Sequence, residues 1–223
     1  AGIDVSGLLT VNAATGHAMI LVDRAGENVI VIHAGANRAL TDQQIDDAIG
    51  GASKGDWLLL QNETNLVPEA ARAARKAGLK VAYAAAPFDA ATASEMLGHV
   101  DLLVVNEVEA AQLSDHLAQP LDSIDVPGLL ITKGAEGAMY LTADGTVAVE
   151  AFDVTPVDTT GAGDTFLGVF LAGLDADTPP QSALTLAAAA AALQVTRPGA
   201  ADAIPTSAEI QQFLDAGAEA RKG

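Results

Sequence analysis

The sequence predicts an α/β fold, a parallel sheet covered by helices on both faces, with a β hairpin ahead of it. Three observations carry that reading. From Trp57 onward, short apolar runs alternate with helical patterns, as in a sheet buried on both sides. Two pairs of apolar runs, at 17–33 and 138–150, are joined by polar turns, as in hairpins. A turn of small residues at 161–163 leads directly into a strongly apolar helix.

Taken in order, Leu8 to Val11 is a candidate short strand. His17 to Val22 and Asn28 to His33 form the first hairpin around a polar turn at 23–27. Thr41-Asp-Gln-Gln44 reads as a capping box that opens a short helix ending at Gly50-Gly51. Trp57 to Gln61 is expected as a buried strand, followed by a helix from Pro68 to Ala77 that Gly78 closes. Leu79 to Ala84 is the next strand, with a helical patch at 93–97. Leu102 to Val105 is a strand ending at Asn106, and a helix covers 107–113. Leu129 to Thr132 precedes the second hairpin, Ala138 to Leu141 with Thr146 to Glu150. Long helices are expected at 162–174, at 180–195, and from a Thr206-Ser-Ala-Glu209 cap to the end.

Composition narrows the functional classes. A chain of 223 residues can bury a sizeable core. It has no cysteine, which excludes disulfides, thiolate catalysis and Cys-ligated metal centres. Eleven Lys and Arg against 29 Asp and Glu leave a net charge of −18, which repels nucleic acid and anionic lipid, so neither is an expected partner. Salt screens that field beyond about 8–10 Å, so local groups decide whether a small anion binds. No apolar run resembles a signal peptide or a spanning helix, and a cytoplasmic protein is expected.

The chemistry concentrates in Asp158-Thr-Thr-Gly-Ala-Gly-Asp-Thr-Phe166. Gly161, Ala162 and Gly163 let backbone N–H groups crowd around an anion at the start of a helix, where unpaired donors and the macrodipole favour negative charge. Asp164 is placed to accept a proton from a hydroxyl that attacks a phosphate. Anion cradle and base together point to phosphoryl transfer to an alcohol. The plainer alternative is a tight turn with an Asp cap. Sharing the strand ends, where ligands sit in such sheets, are Asn106-Glu-Val-Glu109 and Thr132-Lys-Gly-Ala-Glu-Gly137. The first reads equally as a plain capping box. Glu63, in Leu60-Gln-Asn-Glu63 at the end of a strand expected to be buried, needs a cleft or a partner there.

The 158–166 segment closely resembles the second signature of the ribokinase-like (PfkB) carbohydrate kinases. The likeness extends through Thr15-Gly16, Gly35-Ala-Asn37 and Val195-Thr-Arg-Pro-Gly-Ala200. It implies an ATP-dependent kinase of a sugar primary hydroxyl, with the 5-hydroxyl of D-ribose the leading substrate. Fructose, a ketosugar acid or a nucleoside are alternatives within the family, and a non-catalytic nucleotide-binding remnant is the alternative outside it. In these kinases Asp164 would be the base and the 161–163 amides the anion hole. Asn106 and Glu109 would organise Mg²⁺ and phosphates, Glu109 through water. Thr132, Gly134 and Gly137, with Gly163, would lie beside ATP, and Glu63 would contact the sugar. Potassium would be held by the Asp158 carboxylate, the Thr160 carbonyl and carbonyls around Arg197 and Gly199.

The resemblance also implies a division into a partial lid at 1–35, serving as a homodimer surface, and a kinase core at 36–223. The family's first strand, a glycine pair and a sugar-gripping aspartate have no counterpart in this sequence. Two further departures are Ala188, where an asparagine near the adenine is common, and Ala84-Ala-Ala-Pro87 in place of Asn-Pro-Ala-Pro.

Overall fold

The computed structural model describes residues 2–22 and 28–220, with side chains described outside 20–22, 28–30 and 218–220. The expected turn at 23–27 and the last three residues lie outside the described residues. The chain divides into two compact units at 103/104.

In the first unit, β1 (His17–Val22) and β2 (Asn28–His33) pair antiparallel with His17 opposite His33, as the hairpin pattern predicts. Helix α1 (Asp42–Gly50) opens with a complete capping box: the Thr41 hydroxyl accepts from the Gln44 N–H, and the Gln44 side chain accepts from the Thr41 N–H. Strand β3 (Trp57–Gln61) pairs parallel with β4 (Lys80–Ala84), Trp57 opposite Lys80 and Gln61 opposite Ala84. Between them runs α2 (Val67–Ala77), which packs on both strands. Its buried residues Val67, Ala70, Ala71 and Ala74 recur at three- and four-residue spacing, which turns one stripe inward. Gly78 ends it in the left-handed conformation at φ 84°. Helix α3 (Ala90–Met96) starts on an Asp89 cap.

Strand β5 (Leu102–Asn106) runs from the first unit into the second. The larger sheet has the order β3-β4-β5-β6-β7-β8. In the second unit, α4 (Glu107–Leu117) is followed by an antiparallel meander of β6 (Gly128–Thr132), β7 (Ala138–Thr142) and β8 (Gly145–Val149). Helices α5 (Ala162–Asp175) and α6 (Pro180–Val195) pack closely on each other, and α7 (Ser207–Ala220) lies on α6. The alanine run of α6 is what allows that approach, with Ala187, Ala189 and Ala190 fully buried. A Cβ on Gly173 of α5 would come within 2.8 Å of the Ala183 Cβ. Phe170 fills the same unit from α5, edge-on to Tyr140 of β7.

The sheet is mixed: β3 and β4 pair parallel, the expected β7–β8 hairpin is antiparallel, and β6 joins β7 antiparallel through a turn too short for a crossover. Two expectations need correction. Strand β3 is an edge strand and only partly buried, with Leu59 43% exposed. Residues 8–11 form no strand among the described residues; where the segment starts, the Leu8 N–H donates to the Val5 carbonyl in a local turn. Among the described residues, no helix is long and apolar enough to cross a membrane.

Replacing fully buried Phe170 by Ala removes a ring that α5 and β7 close around. Urea denaturation is expected to show a loss of about 3–5 kcal/mol in folding free energy.

Candidate active site

The second unit's chemistry is assembled around the N-terminal end of α5. Gly161 sits in the left-handed conformation, φ 76°, as the residue that turns the chain into the helix. Asp158 braces that turn from below. Its Oδ1 accepts from the Thr160 N–H at 2.9 Å and its Oδ2 from the Gly199 N–H at 3.0 Å. Those bonds, the Thr160 amide foremost, hold the Asp158 carboxyl below its ordinary value. One carboxylate therefore ties the 158–161 loop to the 197–200 loop. Gly163 and Asp164 lie in the first turn of α5 and are exposed. A helix's first turn points its N–H groups toward the chain end, where an anion can meet them. Ala162 differs from the expectation, because its N–H donates to the Thr159 carbonyl at 3.2 Å and an anion must compete for it.

At the end of β5, Asn106 and Glu109 form the capping box that the plainer reading anticipated. Asn106 Oδ1 accepts from the Glu109 N–H at 2.9 Å, and Glu109 Oε2 accepts from the Asn106 N–H at 2.8 Å. Partial burial raises the Glu109 carboxyl above its usual range, with the Asn106 N–H pulling the other way. Among the described residues, no cluster of three or more His, Asp or Glu can hold a metal. What is present suits Mg²⁺, which keeps its waters and takes one or two carboxylates along with phosphate oxygens.

The 132–137 turn joins β6 to β7. Lys133 N–H donates to the Gly137 carbonyl at 2.8 Å. Gly137, φ 100°, is required, since a Cβ there would lie 2.0 Å from the Val149 carbonyl oxygen. Lys133 Nζ approaches Glu107 Oε1 at 3.7 Å, a long and partly exposed pair that contributes little stability. It brings the starts of α4 and of this turn side by side. Beside them an open depression of about 410 Å³ is lined by Glu107, Ala110, Ile131, Lys133 and Met139.

In the first unit a separate knot surrounds Glu63. Ala36 N–H donates to the Ala14 carbonyl, and a Cβ on Gly35 would stand 2.2 Å from that same oxygen. The Arg38 guanidinium donates to the Thr64 carbonyl at 2.9 Å, and the Asn65 side chain pairs with both backbone groups of Leu40. Asn62 is held on three sides: its N–H donates to Ala86 O, its Nδ2 to Pro87 O, and its Oδ1 accepts from the Tyr83 hydroxyl. Residues 14–16, 35–38 and 62–65 are thereby gathered, with Glu63 exposed among them. The burial cost expected for Glu63 is not incurred, because β3 stops at Gln61 and the next residues turn outward.

Comparison with known proteins identifies the family. The model of the pfkB family carbohydrate kinases matches residues 1–207. The chain belongs to that family. It is 34% identical to the ribokinase of Haemophilus influenzae, over 96% of this chain and 74% of that protein. The structure of Arabidopsis thaliana ribokinase complexed with ribose and ATP superposes with a TM-score of 0.77 at 27% identity, covering 91% of this chain and 70% of that one. The nucleoside kinase of Burkholderia thailandensis in complex with inosine gives 0.78 at 26% identity, covering 92% and 69%.

Of the residues that sequence reasoning selects in this kinase, Asp158, Thr160 and Gly199 are joined by direct hydrogen bonds, and Gly161 follows Thr160 as the turn into α5. Asn106 and Glu109 are joined to each other, and Glu63 lies in the other unit. Arg197 was selected for its carbonyl, yet its guanidinium donates to Glu209 Oε1 at 2.7 Å. Sequence reasoning missed Gln194, Asn62 and Asn65. An amide at the end of an alanine run was the signal for Gln194.

Glu209 caps α7 on the Thr206 N–H and hydroxyl while pairing with Arg197, and these bonds lower its carboxyl from 4.5 to about 2. A lowered acid contributes stability above its unfolded value and loses it as pH falls toward the folded one. Melting curves of Glu209→Gln are therefore expected to lie below wild type at neutral pH. The gap should narrow as pH drops from 4.5 toward 2.

Proposed function

We propose that this kinase transfers the γ-phosphoryl group of ATP to the 5-hydroxyl of D-ribose. The observation that carries the reading is the 158–164 loop, a left-handed glycine opening α5 with an exposed carboxylate in its first turn. Asp164 takes the hydroxyl proton as the sugar oxygen attacks. The Gly161 and Gly163 amides, with the positive end of α5, offset charge on the phosphoryl oxygens. A loose transition state asks for alignment and charge neutralisation more than for a strong base. Asn106 and Glu109 would hold Mg²⁺ through water, and when bound the ion supplies charge neutralisation between the phosphates. Thr132, Gly134 and Gly137 would border the nucleotide, and Glu63 would bind sugar hydroxyls.

A potassium ion would use the Asp158 carboxylate and the carbonyls of Thr160, Arg197 and Gly199. Asp158 and the Thr160 carbonyl already accept hydrogen bonds, but each oxygen has a further lone pair, so the set fits a large, weakly held cation. The β1–β2 hairpin would serve as a homodimer surface, a reading supported by exposed Met19, Val31 and Ile32. A cytoplasmic location accords with the sugar and ATP as partners.

The second substrate reading is a nucleoside, favoured by the likeness to the inosine-bound nucleoside kinase. A substrate panel coupled to ADP production separates the two. Turnover is expected with ribose and not with inosine or fructose, and the reverse preference would overturn the ribose assignment. In the same assay Asp164→Asn should lower kcat by about 10²–10⁴-fold, while calorimetry still detects ATP. Retained turnover would remove Asp164 from the mechanism.

A further inference from the structure

Helix α6 ends in a polar side chain that is entirely enclosed. Gln194 is 0% exposed, at the end of a helix whose other buried residues are alanines and one leucine. A buried carboxamide is tolerated only when its donors and acceptor are satisfied, and here they are. Nε2 donates to the Thr160 carbonyl at 3.0 Å and to the Ala200 carbonyl at 2.9 Å. Oε1 accepts from the Thr165 hydroxyl at 3.2 Å, a bond buried like the residue itself. The orientation is determined by chemistry, because the reverse one would set an oxygen against two carbonyl oxygens.

The partners matter more than their number. Thr160 immediately precedes Gly161, the left-handed entry to α5. Thr165 immediately follows Asp164. Ala200 follows Gly199, whose amide grips Asp158. Gln194 thus holds the chain on both sides of the 161–164 segment and locks it to the loop beyond α6. Gly161 also packs against it, since a Cβ there would lie 3.3 Å from Nε2.

We infer that Gln194 is a positioning residue for phosphoryl transfer, holding the anion-binding amides and the Asp164 turn in mutual register through Thr160, Thr165 and Ala200. This rests on the reading of the 158–164 loop as the transfer site. A side chain that only filled space would be replaced by a methionine of similar volume without consequence for that loop.

The test compares wild type with Gln194→Met, which keeps the bulk and removes the donors, by hydrogen–deuterium exchange and steady-state kinetics. Exchange in peptides covering 158–165 and 197–203 is expected to rise about tenfold or more, while peptides from 128–142 and 181–190 stay unchanged. With turnover measured, kcat should fall about 10–100-fold and KM for sugar and ATP stay within about threefold, as for a residue that aligns rather than binds. Unchanged loop exchange, an equal rise throughout α5 and α6, or an unaltered kcat would each overturn the inference. If Gln194→Met does not fold, Thr165→Val removes one of the three bonds, and faster exchange confined to 158–165 is expected. No change there overturns the assignment. A wild-type protein without turnover would count against the kinase reading alone, because the exchange pattern still decides the role of Gln194.

Discussion

In the proposed transfer reaction the N-terminal end of α5 receives a phosphate on bare backbone, and bare backbone does not hold its own shape. The surrounding structure answers that constraint. Glycine at 161 allows the left-handed turn at φ 76°, and the same freedom makes the loop costly to order. The ordering comes from outside the loop. Asp158 grips it from its own first residue, and Gln194 reaches it from the end of α6. The Asp158–Gly199 and Gln194–Thr160 bonds both need the end of α6 to lie beside the start of α5, and the small alanine side chains of α6 permit that approach.

The Asn106–Glu109 pair combines an observed structural role with the chemical one proposed for it. The capping box satisfies two backbone donors at the start of α4 and, in doing so, fixes a partly buried carboxylate at the end of β5. Burial raises the carboxyl, and the backbone bond from Asn106 works against that rise. The first unit builds its own polar centre differently. There the segments 14–16, 35–38 and 62–65 are tied mainly through main-chain carbonyls and amide side chains, with glycine required at position 35 by a carbonyl oxygen in the way.

Much of this was legible in the residues. The capping boxes at Thr41 and Asn106, the close at Gly78 and the start of α6 at Pro180 are local arrangements in which the partners are a few residues apart. Strands β4, β5 and β6 were readable because they are apolar on both faces. Residues 8–11 misled because their apolar character resembles a strand, and pairing depends on a partner that no local pattern reveals. That β6 also joins the β7–β8 hairpin antiparallel was not legible for a related reason. An apolar run carries no sign of its direction relative to its neighbour, and only the short β6–β7 turn decides it.

By itself the sequence determined where α4, α5 and α6 begin, the glycine turn at 161–163, the acid that follows it and the family to which these belong. All of these depend on contacts between near neighbours in the chain or on a motif of adjacent residues. Tertiary structure alone decided that Asp158 bridges to Gly199 and that Gln194 joins Thr160, Thr165 and Ala200. It also decided that Arg197 turns its charge to Glu209, and that Ala162 gives its amide to Thr159. A hydrogen bond is settled by distance and angle, and those become definite only after α5, α6 and their loops are packed.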